Sequence, residues 1–345
     1  MSFPSEDPKK IAIAGNLILD VIKRIDVLPA RGMLATVTDL SYAPGGLVAN
    51  TGVDLVRLGD IRLTAFAATG DDQQADIVTA YLEKNGIDTR HIRRHKDVPT
   101  SATDVFTDST GERTMFHCYG ASSVFGPDDI DYKSLDCDLF LLGYLLLMPG
   151  LDRDDSEYGT VAARILHDVQ AAGFPTCIDC VSAEAGRFTH IVRPALRYCD
   201  YAVINETEAG LVTGIAPRDA QGRIQKEAME RMCRSLISLG VRRAAVIHCP
   251  ECSAAMDAAT GEYELLPSLR LPKEYIKGAV GAGDAFCAGT LWGIVHGLSL
   301  HDSMRLASCS AAASLSVLDA TSGAGSYEET MKLEKRFGRL DINSL

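Results

Sequence analysis

KGAVGAGDAFCAG, residues 277–289, sets a carboxylate, Asp284, directly behind a glycine-rich turn and ahead of a run of small residues. Such a turn opens a helix. Helix N-termini carry unsatisfied N–H groups and partial positive charge, so Asp284 reads either as a cap that starts the helix or as a group facing a ligand. Gly281, Ala282 and Gly283 offer backbone N–H groups without bulky side chains, an anion cradle at a helix mouth. A base beside an anion cradle suggests phosphoryl transfer.

The competing motifs fail. A dinucleotide fingerprint needs a glycine or alanine at the place of Phe286 and follows a first strand, whereas this turn comes late in the chain. No Gly-x-x-x-x-Gly-Lys-Ser/Thr run occurs, and the protein-kinase loop set is absent.

Outward from this turn, the 345 residues are 46% hydrophobic and 23% charged, an ordinary globular composition, with a net charge of −12 that argues against a general nucleic-acid binder. The opening MSFPSEDPKK lacks a leader's apolar run and no later segment approaches a membrane span, so a cytoplasmic protein is expected. Ten cysteines, several inside apolar runs such as PTCIDCV, read as free thiols.

Short apolar runs alternate with segments of helical period. KIAIAG precedes a helix ending at Gly59; RLTAFAATG precedes one near Ala75–Lys84; DLFLLG precedes one over Glu157–Ala172; FPTCID, YAVIN and AAVIHC continue the series. The pattern predicts a parallel sheet covered by helices on both faces. Two stretches break it with β character, Val21–Pro29 and Ser101–Gly120, the second turning at DSTG. They read as one small sheet, a lid built from about 20–45 and 100–121 over the carboxyl ends of the main strands, inside a single domain spanning 1–345.

Two further constellations bear on chemistry. In APGGLVANTGVDLVRLG, Ala43–Gly59, Gly45 and Gly46 open a helix with Asn50 one turn in, and Asp20 follows the first strand in GNLILD. Structurally this is a well-punctuated helix; functionally, close backbone approach, an amide and a carboxylate suit a polyol. In INETEAG, Ile204–Gly210, acidic residues fill a first helical turn, where they are favoured anyway, but Asn205 and Glu208 could also organise Mg²⁺ through water.

These three pieces in this order resemble the ribokinase-like, or phosphofructokinase-B type, carbohydrate kinase family over essentially the whole chain. The resemblance rests on Gly45-Gly46 with Asn50 and Arg57-Leu58-Gly59, on Asn205-Glu206-Thr207-Glu208, and on Gly281-Ala282-Gly283-Asp284-Ala285-Phe286. It implies a Rossmann-like three-layer α/β/α sandwich with a small β lid, often a dimer interface. It further implies an ATP- and Mg²⁺-dependent kinase acting on a hydroxyl, expected to be primary, of a small sugar such as a hexose or pentose. By that resemblance Asp284 is the general base and Gly281, Ala282 and Gly283 form the anion hole. Asp20, Gly45, Gly46 and Asn50 hold the sugar, Asn205 and Ser253 serve the nucleotide together with the turn, and Glu208 serves the metal.

The chain departs from the family in three places. Lys277-Gly278-Ala279-Val280 stands where an Asp-Thr pair usually precedes the turn, so a monovalent-cation site built on that Asp is not expected. His248-Cys249-Pro250-Glu251-Cys252-Ser253 replaces a glycine-rich nucleotide loop, and proline supplies no N–H to a phosphate. Gly143 and Tyr144 occupy the region where some members place a sugar-contacting acid. Two rivals follow: a nucleoside kinase of the same fold, and a sugar-binding regulator whose nucleotide loop has decayed.

Other features take plainer readings. Cys177/Cys180 and Cys249/Cys252 have zinc arithmetic but not zinc spacing, and Arg90–Lys96 reads as a solvated connection. His117 faces either sugar or solvent, and Ser299–Asp302 caps the last long helix.

Overall fold

The computed structural model describes residues 7–182 and 185–344. The chain runs β1 (Lys9–Gly15), β2 (Ile18–Ile25), β3 (Val37–Gly45), α1 (Leu47–Leu58), β4 (Ile61–Gly70), α2 (Gln73–Lys84) and β5 (Asp88–His95). It continues through β6 (Ala102–Thr107), β7 (Arg113–Cys118), β8 (Leu139–Leu145), α3 (Pro149–Asp152), β9 (Asp154–Asp155), β10 (Gly159–Thr160), α4 (Val161–Ala171) and β11 (Thr176–Cys180). Then follow α5 (Phe188–Leu196), β12 (Tyr201–Asn205), α6 (Glu206–Thr213), α7 (Lys226–Leu239), β13 (Ala244–His248), β14 (Cys252–Asp257) and β15 (Tyr263–Pro267). The last helices are α8 (Ala282–Val295), α9 (Leu300–Ser314) and α10 (Tyr327–Phe337).

A nine-stranded sheet in the order β15-β14-β13-β12-β11-β8-β1-β4-β5 forms the middle layer. Side-chain alternation on its strands feeds two cores. Ile11, Ile13, Leu139 and Leu141 face α1, α8 and α9, packing with Val53, Leu291 and Trp292. Ala12, Phe140, Leu142 and Ile178 face α4, α5 and α7, packing with Leu166, Val192 and Met232. Each fully buried side chain of this size contributes about 1.5–3 kcal/mol. Trp292 also ties α8 to the end of α1, donating from Nε1 to the carbonyl of Gly59 at 2.7 Å.

The expected parallel sheet holds from β5 to β13, but β14 and β15 add antiparallel to its edge. Pro250 marks the tight turn between β13 and β14, and Cys252-Ser-Ala-Ala-Met256 is buried on both faces, so it lacks the alternation by which a strand is recognised. Two other expectations are corrected. The helix foreseen from Glu157 starts at Val161, because Gly159-Thr160 pairs with Asp154-Asp155 and Thr160 caps the helix, accepting from Ala163 N at 3.2 Å. Arg90–Lys96 is not a solvated connection: all but Lys96 lie in β5, an edge strand whose charges guard its open side while His91 stacks on Phe66. Ser299 caps α9 as foreseen.

The two β stretches form a second sheet, β3-β2-β6-β7. Its register sets Ala43, Asp20, Thr103 and His117 side by side across the four strands. Among the described residues no helix is long and apolar enough to cross a membrane, and all ten cysteines are free.

Candidate active site

β4 and β5 extend the large sheet on one side of β1, and β8 begins its growth on the other, so strand order reverses between β1 and β8. Open α/β sheets leave a crevice at the carboxyl ends of such a pair. Gly15 and Gly143 are register partners there, and Asn16 and Tyr144 follow them at the rim. Asn16 caps α1, with its Oδ1 accepting from Leu47 N at 3.0 Å. The chain passes close beneath: Gly46 has φ 84°, and a Cβ there would meet the Asn16 carbonyl at 2.5 Å.

α8 enters the same crevice from Gly281, whose φ of 79° and whose approach to the Ala320 carbonyl leave no place for a side chain. Among the described residues no side chain caps this helix. Ala282 N donates to the Ala279 carbonyl at 3.4 Å, and the N–H groups of Gly281 and Gly283 at the helix mouth are available to an anion. Asp284 is held by three donors. Asn50 Nδ2 reaches Oδ2 at 3.2 Å, Thr51 Oγ1 reaches Oδ1 at 3.1 Å, and the Tyr144 hydroxyl also donates to Oδ1. Burial pushes the Asp284 carboxyl above its ordinary range, and the bonds from Tyr144, Thr51 and Asn50 oppose that shift. A carboxylate fixed by α1 and β8 beside uncapped amides is equipped to take a proton next to a bound anion.

The polyol candidates converge on the same rim. Asn50 keeps a buried Oδ1, and Asn16 a buried Nδ2, without a hydrogen-bond partner among the described residues. Asp20 reaches over from β2: a Cβ on Gly45 would lie 3.3 Å from its Oδ2. Burial raises the Asp20 carboxyl, partly offset by a bond from Thr103. Thr103 Oγ1 in turn lies 3.0 Å from His117 Nδ1, which joins His117 to the row that contains Asp20.

At the far end, Asn205 and Glu208 close a capping box on α6: Asn205 Oδ1 accepts from Glu208 N at 2.9 Å, and Glu208 Oε2 accepts from Asn205 N at 3.0 Å. Ser182 Oγ donates to Glu208 Oε1 at 3.0 Å. The structural reading of this motif is thus realised, and it does not exhaust the residue. Burial pushes the Glu208 carboxyl up to about 7 against the bonds from Asn205 and Ser182. Asp179 at the end of β11 is raised well above its usual range by burial and by the charges of Glu208 and Asp284. Two buried acids of raised pKa are suited to a cation that arrives with its own waters and phosphate ligands. Among the described residues no group of three His, Cys, Asp or Glu side chains forms a protein metal cage.

The His248–Ser253 segment is a hairpin rather than an open phosphate loop. Cys249 N donates to the Cys252 carbonyl at 2.8 Å. Ser253, expected at the nucleotide, lies inside β14 with its side chain 1% exposed, because the turn is too short to carry it to the surface. Glu251 in the turn pairs with Arg218 at 2.7 Å, and Arg218 pairs with Glu206 of α6 at 2.7 Å. His248 stacks on Phe286 with ring centroids 4.6 Å apart and approaches Gly283. Burial lowers its imidazole to about 4, so it is neutral near pH 7.

The sequence model for pfkB family carbohydrate kinases matches residues 8–326. The chain belongs to that family. It is a carbohydrate kinase, a phosphotransferase acting on a sugar hydroxyl. It is 24% identical over 314 residues to a ribokinase of Schizosaccharomyces pombe, covering 87% of this chain and 90% of that one. It is 24% identical over 242 residues to a deoxyribokinase of Salmonella typhi, covering 67% and 69%. The fold matches the structure of Arabidopsis thaliana ribokinase complexed with ribose and ATP with a TM-score of 0.77 at 21% identity, over 95% of this chain and 99% of that one.

Four residues of the kinase's crevice escaped sequence reading as site groups: Asn16, Thr51, Tyr144 and Asp179. Thr51 was legible as the neighbour of Asn50, and Tyr144 and Asp179 as polar residues ending apolar strands. Nothing in one dimension brings Tyr144 and Asp284 together.

Proposed function

We propose that this pfkB-family kinase transfers the γ-phosphoryl group of ATP to a primary hydroxyl of a small free sugar, a hexose or pentose. The observation that carries the reading is Asp284, set by Asn50, Thr51 and Tyr144 in the first turn of an uncapped helix. Asp284 accepts the hydroxyl proton as the sugar oxygen bonds to phosphorus and the bond to the ADP oxygen breaks. It need not be a strong base, since the proton is already leaving. The N–H groups of Gly281 and Gly283 face the charge on the transferred group. Asp20, Gly45, Gly46 and Asn50 orient the sugar, and Asn205 lies on the nucleotide side. Mg²⁺, when bound with ATP, neutralises phosphate charge, and Glu208, with Asp179 beside it, would hold it through water.

The small sheet acts as a lid that excludes water, within a single kinase domain. Its exposed Leu40, Tyr42, Met115 and Phe116 suit a homodimer contact. A polar sugar rather than a nucleoside is favoured by Asp20, Thr103 and His117, which share one row of the lid sheet and carry hydrogen-bonding groups.

The test is ADP formation with Mg-ATP across free hexoses, pentoses, keto-deoxy acids, sugar phosphates and nucleosides. Turnover on one free sugar, abolished by EDTA, is the expected result; turnover confined to nucleosides would overturn the acceptor assignment.

A further inference from the structure

Cys249 and Cys252 flank the two-residue turn Pro250-Glu251 and continue the register of β13 and β14, in which His248 pairs with Ser253. They face each other across the hairpin, and Cys249 N donates to the Cys252 carbonyl at 2.8 Å. Their sulfurs lie 3.5 Å apart. Directly opposed, hydrogen-bonded residues of an antiparallel pair hold their Cα atoms about 5.5 Å apart, inside the span that a disulfide bridges. Pro250 fixes its own φ and Glu251 is tied to Arg218 at 2.7 Å, so the turn holds the two thiols in this arrangement.

A buried cysteine ordinarily packs as an inert small hydrophobe, and a second cysteine three residues on suggests a metal. Neither reading accounts for two sulfurs that face each other. Among the described residues no third His, Cys, Asp or Glu completes a metal site. The Cys249 thiol acts as a donor, reaching the Cys252 carbonyl at 3.2 Å. Arg218 first, and the Cys249 thiol after it, hold the Glu251 carboxyl below its ordinary range against burial. The contact with Cys252 and then burial push the Cys249 thiol up, so it rests protonated near neutral pH.

We propose that Cys249 and Cys252 form a reversible dithiol–disulfide pair, closed by a peroxide and reopened by a small dithiol. Cys249, 9% exposed against 1% for Cys252, meets the oxidant first. Its sulfur takes one peroxide oxygen as the O–O bond breaks, giving a sulfenic acid and one water. The Cys252 sulfur then bonds to the Cys249 sulfur, the S–O bond breaks, and the hydroxyl leaves with the Cys252 proton as a second water. Two thiols are oxidised and one hydrogen peroxide is reduced. Closure draws the sulfurs in by about 1.5 Å, to the roughly 2 Å of an S–S bond, and removes the S–H from which Glu251 accepts. The turn must shift with it. His248 stacks on Phe286 of α8, and Arg218 bridges Glu251 to Glu206 of α6, so the turn that moves is tied to both helices.

The inference goes beyond the choice of sugar, and its test needs no turnover. Cys118, exposed on β7, is first replaced in Cys118→Ser so that its thiol does not compete for oxidant. That protein, folded, is treated with hydrogen peroxide, blocked with N-ethylmaleimide in denaturant and digested without reductant. The fragment holding Cys249 and Cys252 is expected to have lost two hydrogens and to carry no maleimide. Dithiothreitol added to the folded, oxidised chain should restore both alkylation sites. Amide exchange over residues 249–253 should slow by about threefold or more on closure. With Cys252→Ser added, peroxide should leave Cys249 as a sulfenic acid that dimedone traps, and exchange should not slow. Should Cys252→Ser not fold, the mass and its reversal still decide. Both thiols alkylated after peroxide, a bridge from either cysteine to another, a bond that dithiothreitol opens only after unfolding, or exchange unchanged by closure would each overturn the inference.

Discussion

Tyr144 donates its phenol hydrogen to Oδ1 of Asp284, the oxygen that also accepts from Thr51. Oδ1 is thereby filled, whereas Oδ2 has Asn50 alone and keeps a lone pair. The two oxygens therefore differ: Oδ1 is anchored twice, and Oδ2 has room for one more donor. The phenol is itself raised well above its ordinary pKa, first by burial and then by the charge of Asp284, so it stays a donor through the neutral range.

Removing that donor should move the acidic limb of the rate profile. The bond from Tyr144 lowers the Asp284 carboxyl, so Tyr144→Phe lets burial raise it further, and a base that works ionised then needs a higher pH. Asp179 faces this region as a second acid, and Asp54 lies behind it. We expect kcat/KM to fall about tenfold or more below the shifted limb, the effect of losing a bond to a charged group, and to recover toward alkaline pH. An unmoved limb in Tyr144→Phe would reject the anchoring role.

Asp284→Asn should lower kcat by about 10²–10⁴, the usual scale for a general base. It should not lower the unfolding midpoint, because a carboxylate whose pKa is raised by burial opposes folding at neutral pH. Parallel assays of turnover and thermal melting check both halves. Normal turnover would remove Asp284 from the mechanism.

The sequence was read correctly where local chemistry and packing agree. Gly281–Asp284 opens a helix because glycine alone fits the left-handed turn against Ala320, and KIAIAG and DLFLLG become strands because their alternate residues feed two cores. It was read poorly where a tertiary partner decides. Asp179 and Asp54 carry no local signal: the strand β11 brings Asp179 within the electrostatic reach of Glu208, and the tertiary fold buries Asp54. Ser253 failed for the converse reason: a loop was assumed where Pro250 makes a two-strand turn.

Glu208 gives a stability test. Its folded pKa of about 7 stands above the unfolded value near 4.5, so between those values the folded chain binds more protons than the unfolded one. Stability is then greatest below the unfolded pKa and falls as pH rises toward 7, by on the order of 3 kcal/mol across the window. Glu208→Gln retains a side-chain oxygen for the Asn205 N–H and should flatten this part of the curve. Denaturant unfolding between pH 4.5 and 7.5 measures it; an unchanged slope in the variant would place the titration elsewhere.

Arg218 ties the β13–β14 hairpin to the start of α6. Its guanidinium bridges Glu251, in the hairpin that stands where a glycine-rich loop is expected, to Glu206 at the start of α6, and it donates to the Gly222 carbonyl at 2.9 Å. If the hairpin meets the nucleotide through a turn held in place by this bridge rather than through glycine amides, loosening the bridge should act on one substrate only. Arg218→Met keeps much of the stem and removes the fork. The partly exposed pairs are worth about 1 kcal/mol, so the fold should survive. We expect the KM for ATP to rise about five- to tenfold, as loss of a positioning contact of that size implies, while the KM for the sugar stays within about twofold. Equal rises in both constants would mean that Arg218 supports the whole crevice, and no rise in either would mean that the hairpin does not meet the nucleotide.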